Sequence, residues 1–124
     1  MRFEPRRRLR TGVEFDAVFK GGTRLGGRLF VLVVAPNRLR HDRLGLAVSR
    51  RVGGAVQRNR ARRLVRESFR RLAARPGPAV DLVVVARPEI VGCGQAEVDR
   101  ELRERVLRVQ RRTPMAGTSP SPAR

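Results

Sequence analysis

The sequence predicts an α/β sandwich in which helices flank a small sheet, and two kinds of segment support this prediction. Two near-continuous runs of aliphatic and β-branched residues, 28–35 and 80–86, each end close to a proline, as buried strands commonly do. Two longer segments repeat apolar residues at helical spacing. The resulting order along the chain is helix, strands, helix, strand, helix.

The first half of the chain predicts one helix and three strands. Thr11 and Glu14 form a capping box in front of a short helix over residues 12–20, which ends at Gly21-Gly22. A brief strand over 23–25 precedes the apolar strand 28–35. A short polar loop then leads to a strand over 43–49, and we expect these last two strands to pair as an antiparallel hairpin.

The second half predicts two amphipathic helices around a third long strand, residues 80–86. The first helix covers residues 56–74 and stops at the prolines that follow. Its predicted buried face consists of Ala61, Leu64, Val65, Ser68, Phe69 and Leu72. The last helix covers 95–110, and its apolar stripe consists of Val98, Leu102, Val106 and Val109. We expect the acids of this helix to pair with its own arginines on a solvated face.

Positive charge is concentrated in one segment of the chain. The 124 residues carry a net charge of +18, and residues 50–75 hold ten arginines against the single acid Glu67. A guanidinium group is permanently charged and binds phosphate through two parallel hydrogen bonds. Release of counterions would drive such a surface onto a polyanion. We therefore expect a nucleic-acid partner, whereas a membrane fits less well because the apolar faces are needed for the core.

The remaining chemistry-bearing residues are few. Cys93 is the only cysteine and His41 the only histidine, so a disulfide framework and a cysteine-based zinc site are excluded. The sequence contains no apolar run near 18 residues, and no apolar segment follows its basic start. We expect a single-domain cytoplasmic protein with no membrane partner, no small-molecule substrate, and no catalytic residue or metal site of its own.

Phe15 and Phe19 stand four residues apart on the first helix, so both project from one face. They can seal the helix onto the sheet, or they can form a platform on which unpaired bases stack beside a basic groove. Both roles hold together if the two rings line a cleft between helix and sheet.

Residues 51–67, RVGGAVQRNRARRLVRE, resemble the signature of the protein subunit of bacterial ribonuclease P, whose RNR motif matches Arg58-Asn59-Arg60. The resemblance extends to Arg8-Leu9, Glu14-Phe15, Val18-Phe19, Phe30-Val31 and the segment GLAVS at 45–49. It implies one domain over residues 1–112, of which 1–10 form a basic arm. Residues 113–124 are rich in proline, serine and glycine, and we expect them to be disordered.

The same resemblance implies a small mixed sheet with three flanking helices and a left-handed βαβ crossover. It also implies that the protein is the small partner of a catalytic RNA. That RNA uses Mg²⁺ to cut the 5′ leader from precursor tRNA, an endonucleolytic hydrolysis. The protein itself would bind no cofactor.

Three groups of site residues follow from the resemblance. The helix that contacts RNA would use Arg51, Arg58, Asn59, Arg60, Arg62, Arg63, Arg66 and Arg70. The basic arm would contribute Arg6, Arg7, Arg8 and Arg10. A cleft for the leader would be lined by Phe15, Phe19 and Val33, where valine stands in place of an aromatic residue of the family.

Two other classes compete with this interpretation. One is a structural RNA-binding protein, such as a small ribosomal protein, which would pack the basic helix into folded RNA. The other is a DNA-binding module, but the basic helix lies between strand-like runs and lacks the neighbouring helix of a helix-turn-helix.

Overall fold

The computed structural model describes residues 8–9, 12–72 and 78–112, apart from the side chains of 110–112. The elements are α1 (Gly12–Gly21), β1 (Thr23–Gly26), β2 (Phe30–Pro36), β3 (Arg43–Ala47), α2 (Ala55–Leu72), β4 (Val80–Ala86) and α3 (Gln95–Arg112). A 3-10 turn, Pro88–Gly92, joins β4 to α3. The predicted cap at Thr11, most of the predicted arm and the predicted tail lie outside the described residues. Within the described residues, no helix is long and apolar enough to cross a membrane.

The four strands form one mixed sheet in the order β1-β2-β4-β3. β2 is antiparallel to both β1 and β4, whereas β3 runs parallel to β4. Arg8 adds an isolated bridge to Leu44 at the outer edge of β3, where the Leu9 amide donates to the Leu44 carbonyl at 2.9 Å. The prediction of an α/β sandwich with a small mixed sheet and three helices is confirmed.

The predicted hairpin between β2 and β3 is wrong, because β4 lies between these two strands. β4 is buried along nearly its whole length, so it occupies the centre of the sheet. The loop 37–42 crosses the beginning of β4. There the Asp42 carboxylate accepts the Val80 amide at 2.8 Å, and the Asn37 side chain donates to Asp81 at 2.9 Å. These polar groups satisfy the start of β4 and thereby hold β2 and β3 on opposite sides of it.

The sheet carries a core on each face. α2 and α3 cover the larger core, and every residue of their two predicted apolar faces is buried. α1 covers the smaller core, which consists of Leu9, Val18, Val33, Ala35 and Val83 with Phe15 and Val85 packed against it. Alternation along the strands explains this division, because neighbouring residues of a strand point to opposite faces.

The acids of α3 do not form the self-contained salt-bridged face that the sequence predicts. The Asp99 carboxylate accepts hydrogen bonds from Ser68 and Arg71 on α2, and Glu101 accepts the Leu29 amide at 2.8 Å. Burial alone would raise the pKa of Asp99, but the hydrogen bonds from Ser68, Gln95 and Arg71 outweigh it and lower that pKa. These carboxylates therefore tie α3 to α2 and to the turn between β1 and β2.

Candidate nucleic-acid interface

Burial of the apolar face of α2 decides where its arginines lie. Once that face packs on the sheet, the cations fall on two flanks and on an outward arc between them. One flank faces α3 and the turn before it, and the other faces the edge of β3. The outward arc carries Asn59, Arg63 and Arg70, which are all exposed.

The flank toward α3 contains Arg60 and Arg71, which we call the α3-side pair. Arg60 donates to the carbonyl oxygens of Val91 at 3.1 Å and Cys93 at 2.7 Å, and Arg71 is bound to the Asp99 carboxylate. The guanidinium of Arg60, which belongs to the predicted RNA-binding set, therefore anchors the 3-10 turn and the residue that follows it to α2. The sequence carries no signal for this anchoring, since the accepting groups are backbone carbonyls.

The opposite flank contains Arg58, Arg62 and Arg66, one helical turn apart, which we call the arm-side row. Among the residues that the structure describes, none of the three forms an ion pair with an acid. Arg62 donates to the side-chain oxygen of Asn59 at 2.9 Å, and Nε of Arg58 is buried without a hydrogen-bond partner. The row is therefore a line of cations that the described part of the protein does not neutralise.

Arg66 shows how closely these positive charges are packed. Its pKa is lowered, first by partial burial and then by the positive charges of Arg8 and Arg62. Arg8 reaches this position because its backbone pairs with Leu44 beside β3. One described residue of the predicted arm thus extends the basic surface of α2, while Arg6, Arg7 and Arg10 lie outside the described residues.

The two arginines of the outward arc differ, because Arg70 pairs with an acid and Arg63 does not pair with one among the described residues. Arg70 pairs with Glu67 one turn earlier, and the hydrogen bond from Arg70 lowers the pKa of Glu67. Arg63 makes no such pair within the described chain. Arg51, in the turn before α2, is also exposed.

The two phenylalanines of α1 lie in different environments. Phe15 is half-buried and packs against the smaller core, whereas the Phe19 side chain is 40% exposed. The two roles weighed for this pair are therefore divided: Phe15 lies partly in the core, and Phe19 offers its ring to solvent.

Val33 does not line an open cleft, which corrects its predicted place. Its side chain is only 1% exposed, because it lies beneath the end of α1. A Cβ on Gly22 would come within 2.8 Å of Val33 Cγ1, so only glycine lets α1 approach β2 this closely. Val33 therefore belongs to the smaller core.

On the α1 side of the sheet, the row of residues beside the one that contains Val33 is partly exposed. The sequence analysis did not identify this row. Its members pair across the four strands and are partly or wholly exposed: Gly26, Val31, Val85 and Ala47. Arg24 is exposed on the same face at the β1 edge, opposite Val33 in the register. At the other end, Ala47 leads along the chain to Arg50 and Arg51. The alternation of β2 carries the signal, since Val31 precedes Val33 by two residues.

Cys93 and His41 remain as candidates for chemistry, and they lie apart, one in a turn and one in a loop. Cys93 is buried, and its thiol donates to the Glu89 carbonyl at 3.4 Å. His41 lies in the loop 37–42, where its carbonyl accepts the Asn37 side chain. No group of three or more metal-ligating side chains occurs within the described ranges.

These features define a small α/β-sandwich protein with a row of arginines that pairs with no acid among the described residues, and with a partly exposed row of sheet residues, including two valines, on the α1 side. The family model for ribonuclease P matches residues 3–110. The chain is 49% identical over 81 residues to the ribonuclease P protein component of Shouchella clausii, which covers 64% of this chain and 66% of that protein. It is 42% identical over 106 residues to the same component of Methylococcus capsulatus, and this match covers 85% of this chain and 82% of that protein.

Solved structures agree with the sequence relatives. A mutant of the Staphylococcus aureus RNase P protein superposes with a TM-score of 0.74 at 30% identity, over 86% of this chain and 89% of that one. The chain therefore belongs to the family of bacterial ribonuclease P protein components.

Proposed function

We propose that this chain is the protein subunit of ribonuclease P and acts in the cytoplasm. It binds the catalytic RNA and the single-stranded 5′ leader of precursor tRNA, and so promotes endonucleolytic removal of the leader. The bond is cut by the RNA subunit with Mg²⁺, and the protein contributes binding and orientation. Family membership supports this assignment, and the arm-side row is the structural observation that carries the RNA-binding part.

The arm-side row supports RNA binding because its closely spaced positive charges destabilise the free protein. Like charges one turn apart destabilise a helix by about 0.2–0.5 kcal/mol per pair, and partial burial adds a desolvation cost. Phosphate groups would relieve both penalties by accepting hydrogen bonds from the guanidinium groups of the row. A row of this kind is expected to follow a phosphate backbone without reading its sequence.

The exposed sheet row on the α1 side, Gly26, Val31, Val85 and Ala47, supports the leader-binding part, and we call the surface between it and α1 the groove. The row contains apolar valine and alanine, the Phe19 side chain on the covering helix is 40% exposed, and Arg24 is exposed on the same face of the sheet. Aromatic faces beside cations hold unpaired bases without sequence preference. A single strand would therefore fit this groove better than a duplex, whose bases are already stacked.

Reconstitution of the holoenzyme tests the assignment directly. The purified protein should restore cleavage of precursor tRNA by the catalytic RNA at low Mg²⁺, and it should cleave nothing alone. A structural protein of the ribosomal kind would bind RNA without restoring cleavage. Hydrolysis by the protein without the RNA subunit would show that catalysis is assigned to the wrong partner.

Replacement of Phe19 tests the leader site. Phe19→Ala should weaken binding of a precursor tRNA with an unpaired leader by about 1–3 kcal/mol, because one stacking contact is lost. Binding of mature tRNA should stay unchanged, since it has no leader. The ring is 40% exposed, so the loss of stability should stay well below the roughly 3–5 kcal/mol of a buried Phe-to-Ala change.

Val13→Ala is the matched control for this experiment. Val13 is 79% exposed and lies on the far side of the same helix, so its truncation should affect neither RNA. Equal losses for precursor and mature tRNA in Phe19→Ala would contradict a leader site at this ring.

A further inference from the structure

Gly45 occupies the middle of β3, where glycine weakens a strand and often marks the close approach of another group. The backbone does not demand glycine here, since Gly53 is the one glycine with positive φ within the described ranges. The reason for glycine at this position is steric. Gly45 is buried and pairs with Val83 of β4, beneath α1.

The ring of Phe15 fills the place that a side chain at residue 45 would take. A Cβ on Gly45 would lie 2.7 Å from Cζ of Phe15, 3.0 Å from its Cε2 and 3.2 Å from Cβ of Leu9. Across this face the row runs Val33, Val83 and Gly45, so two valines are followed by a notch in the sheet. The outer edge of the Phe15 ring rests in that notch.

The notch sets how deeply the ring sits. A methyl group at residue 45 would push against the far end of the Phe15 side chain, which is half-buried and can move outward. The change would therefore raise or tilt the ring beside the groove, while Leu9, whose Cβ would be 3.2 Å away, would have to shift much less. Phe19 lies one turn further along the same helix, so the surface that the two rings share would change.

We propose that Gly45 is a positioning residue for the leader site. By leaving a notch beneath Phe15, it fixes the height of that ring and so the stacking surface that Phe15 and Phe19 present to an unpaired base. This inference rests on the proposed function, because it concerns the same groove and the same ligand.

Gly45→Ala in the full chain, assembled with the catalytic RNA, tests the proposal. We expect affinity for a precursor tRNA with an unpaired leader to fall about fivefold, a fraction of one stacking contact. Affinity for mature tRNA should stay within twofold of the unmodified protein. Gly92→Ala is the matched control, because a Cβ there would meet nothing within 4 Å. An unchanged leader affinity in Gly45→Ala would overturn the proposal.

The double variant Phe15→Ala/Gly45→Ala separates positioning from a general effect on the fold. If Gly45 acts through the ring, the double variant should lose no more leader affinity than Phe15→Ala alone. Additive losses would overturn the proposal. If Gly45→Ala lowers the melting temperature, that loss should be smaller in the Phe15→Ala background, where only the contact with Leu9 remains, and an equal loss in both backgrounds would also overturn the proposal.

The single variants distinguish this inference from the proposed function. Leader-selective losses in Phe15→Ala and Phe19→Ala, together with normal binding by Gly45→Ala, would reject only the positioning role. Absence of leader selectivity in both phenylalanine variants would reject the leader site itself.

Discussion

The two flanks of α2 use the same residue type for different purposes. The α3-side pair donates to carbonyl and carboxylate oxygens of the protein, with Arg60 bound to the carbonyls of Val91 and Cys93. The arm-side row meets no acid among the described residues, and its member Arg66 has a pKa lowered by burial and by neighbouring cations. One helix thus carries arginines that hold the fold together and arginines left available to a ligand.

Fewer arginines are available to bind RNA than the number in this segment of the sequence suggests. Ten arginines lie between residues 50 and 75, but Arg60 and Arg71 are engaged within the protein and Arg70 is paired with Glu67. The RNR motif itself is divided, because Arg58 lies in the arm-side row and Arg60 in the α3-side pair. Mutations in the motif should therefore separate into two phenotypes.

The largest expected effect comes from removing the arm-side row. Arg58→Ala/Arg62→Ala/Arg66→Ala should weaken RNA binding strongly, because it removes three cations that pair with no acid in the described part of the chain. The slope of log affinity against log salt should fall by a little under one unit per lost phosphate contact. Binding titrations at several salt concentrations measure this slope. A slope equal to that of the unmodified protein would show that the row does not touch phosphate.

Arg60→Met should lower the stability of the protein and leave the salt dependence of RNA binding almost unchanged, which is the opposite of the result expected for the arm-side row. Methionine keeps much of the aliphatic bulk but loses both hydrogen bonds to the Val91 and Cys93 carbonyls. Stability should fall by about 1.5–3 kcal/mol, the range for a hydrogen bond made by a charged group. Thermal melting measures this loss, and the salt dependence of RNA binding should change little. A lower slope with unchanged melting would place Arg60 on the RNA instead.

The outward arc supplies a matched pair with a smaller expected difference. Arg63 and Arg70 are both exposed on α2, but Arg70 is partly neutralised by Glu67. Arg63→Ala should therefore reduce the salt slope more than Arg70→Ala does. The same titrations compare them, and an equal reduction would mean that RNA displaces Glu67 from Arg70 at no net cost.

The sequence predicts the apolar contacts of this fold better than its polar ones. The buried face of α2 and the stripe of α3 follow from helical periodicity alone, and all of their residues are buried. The predicted pairing of β3 with β2 is wrong, and the polar contacts that accompany the observed pairing join Asn37 and Asp42 to residues 80 and 81, about 40 positions further along the chain. Sequence spacing contains no information about such partners.

The same limit applies to the candidate site. Spacing placed Phe15 and Phe19 on one face of α1, but it did not show that Gly45 receives one ring and that the other is exposed. The family resemblance predicts that Val33 lines the cleft, whereas in the structure Val33 is buried and Val31 is partly exposed. The division of the α2 arginines was equally hidden, since helical periodicity assigns a residue to a face without naming what that face contacts.

The smallest expected effect concerns the α3-side pair and its acid. Hydrogen bonds from Ser68, Gln95 and Arg71 outweigh the opposing effect of burial and lower the pKa of Asp99 in the folded protein. A carboxyl group with a lowered folded pKa stabilises the fold above its unfolded pKa, about 3.9, and this stabilisation is lost as the pH falls through the folded value. Asp99→Asn should therefore melt below the unmodified protein at pH 7.

The difference between the two melting temperatures should then shrink as the pH falls below about 4, because the unmodified protein loses the contribution that the variant lacks. Other carboxylates are common to both proteins and cancel in the comparison. Glu104→Gln controls for the loss of one negative charge, since Glu104 is exposed on the same helix. A difference that stays constant from pH 7 to pH 3 would show that the contribution of Asp99 does not depend on its ionisation. The contrast between the two flanks would then rest on Arg60 alone.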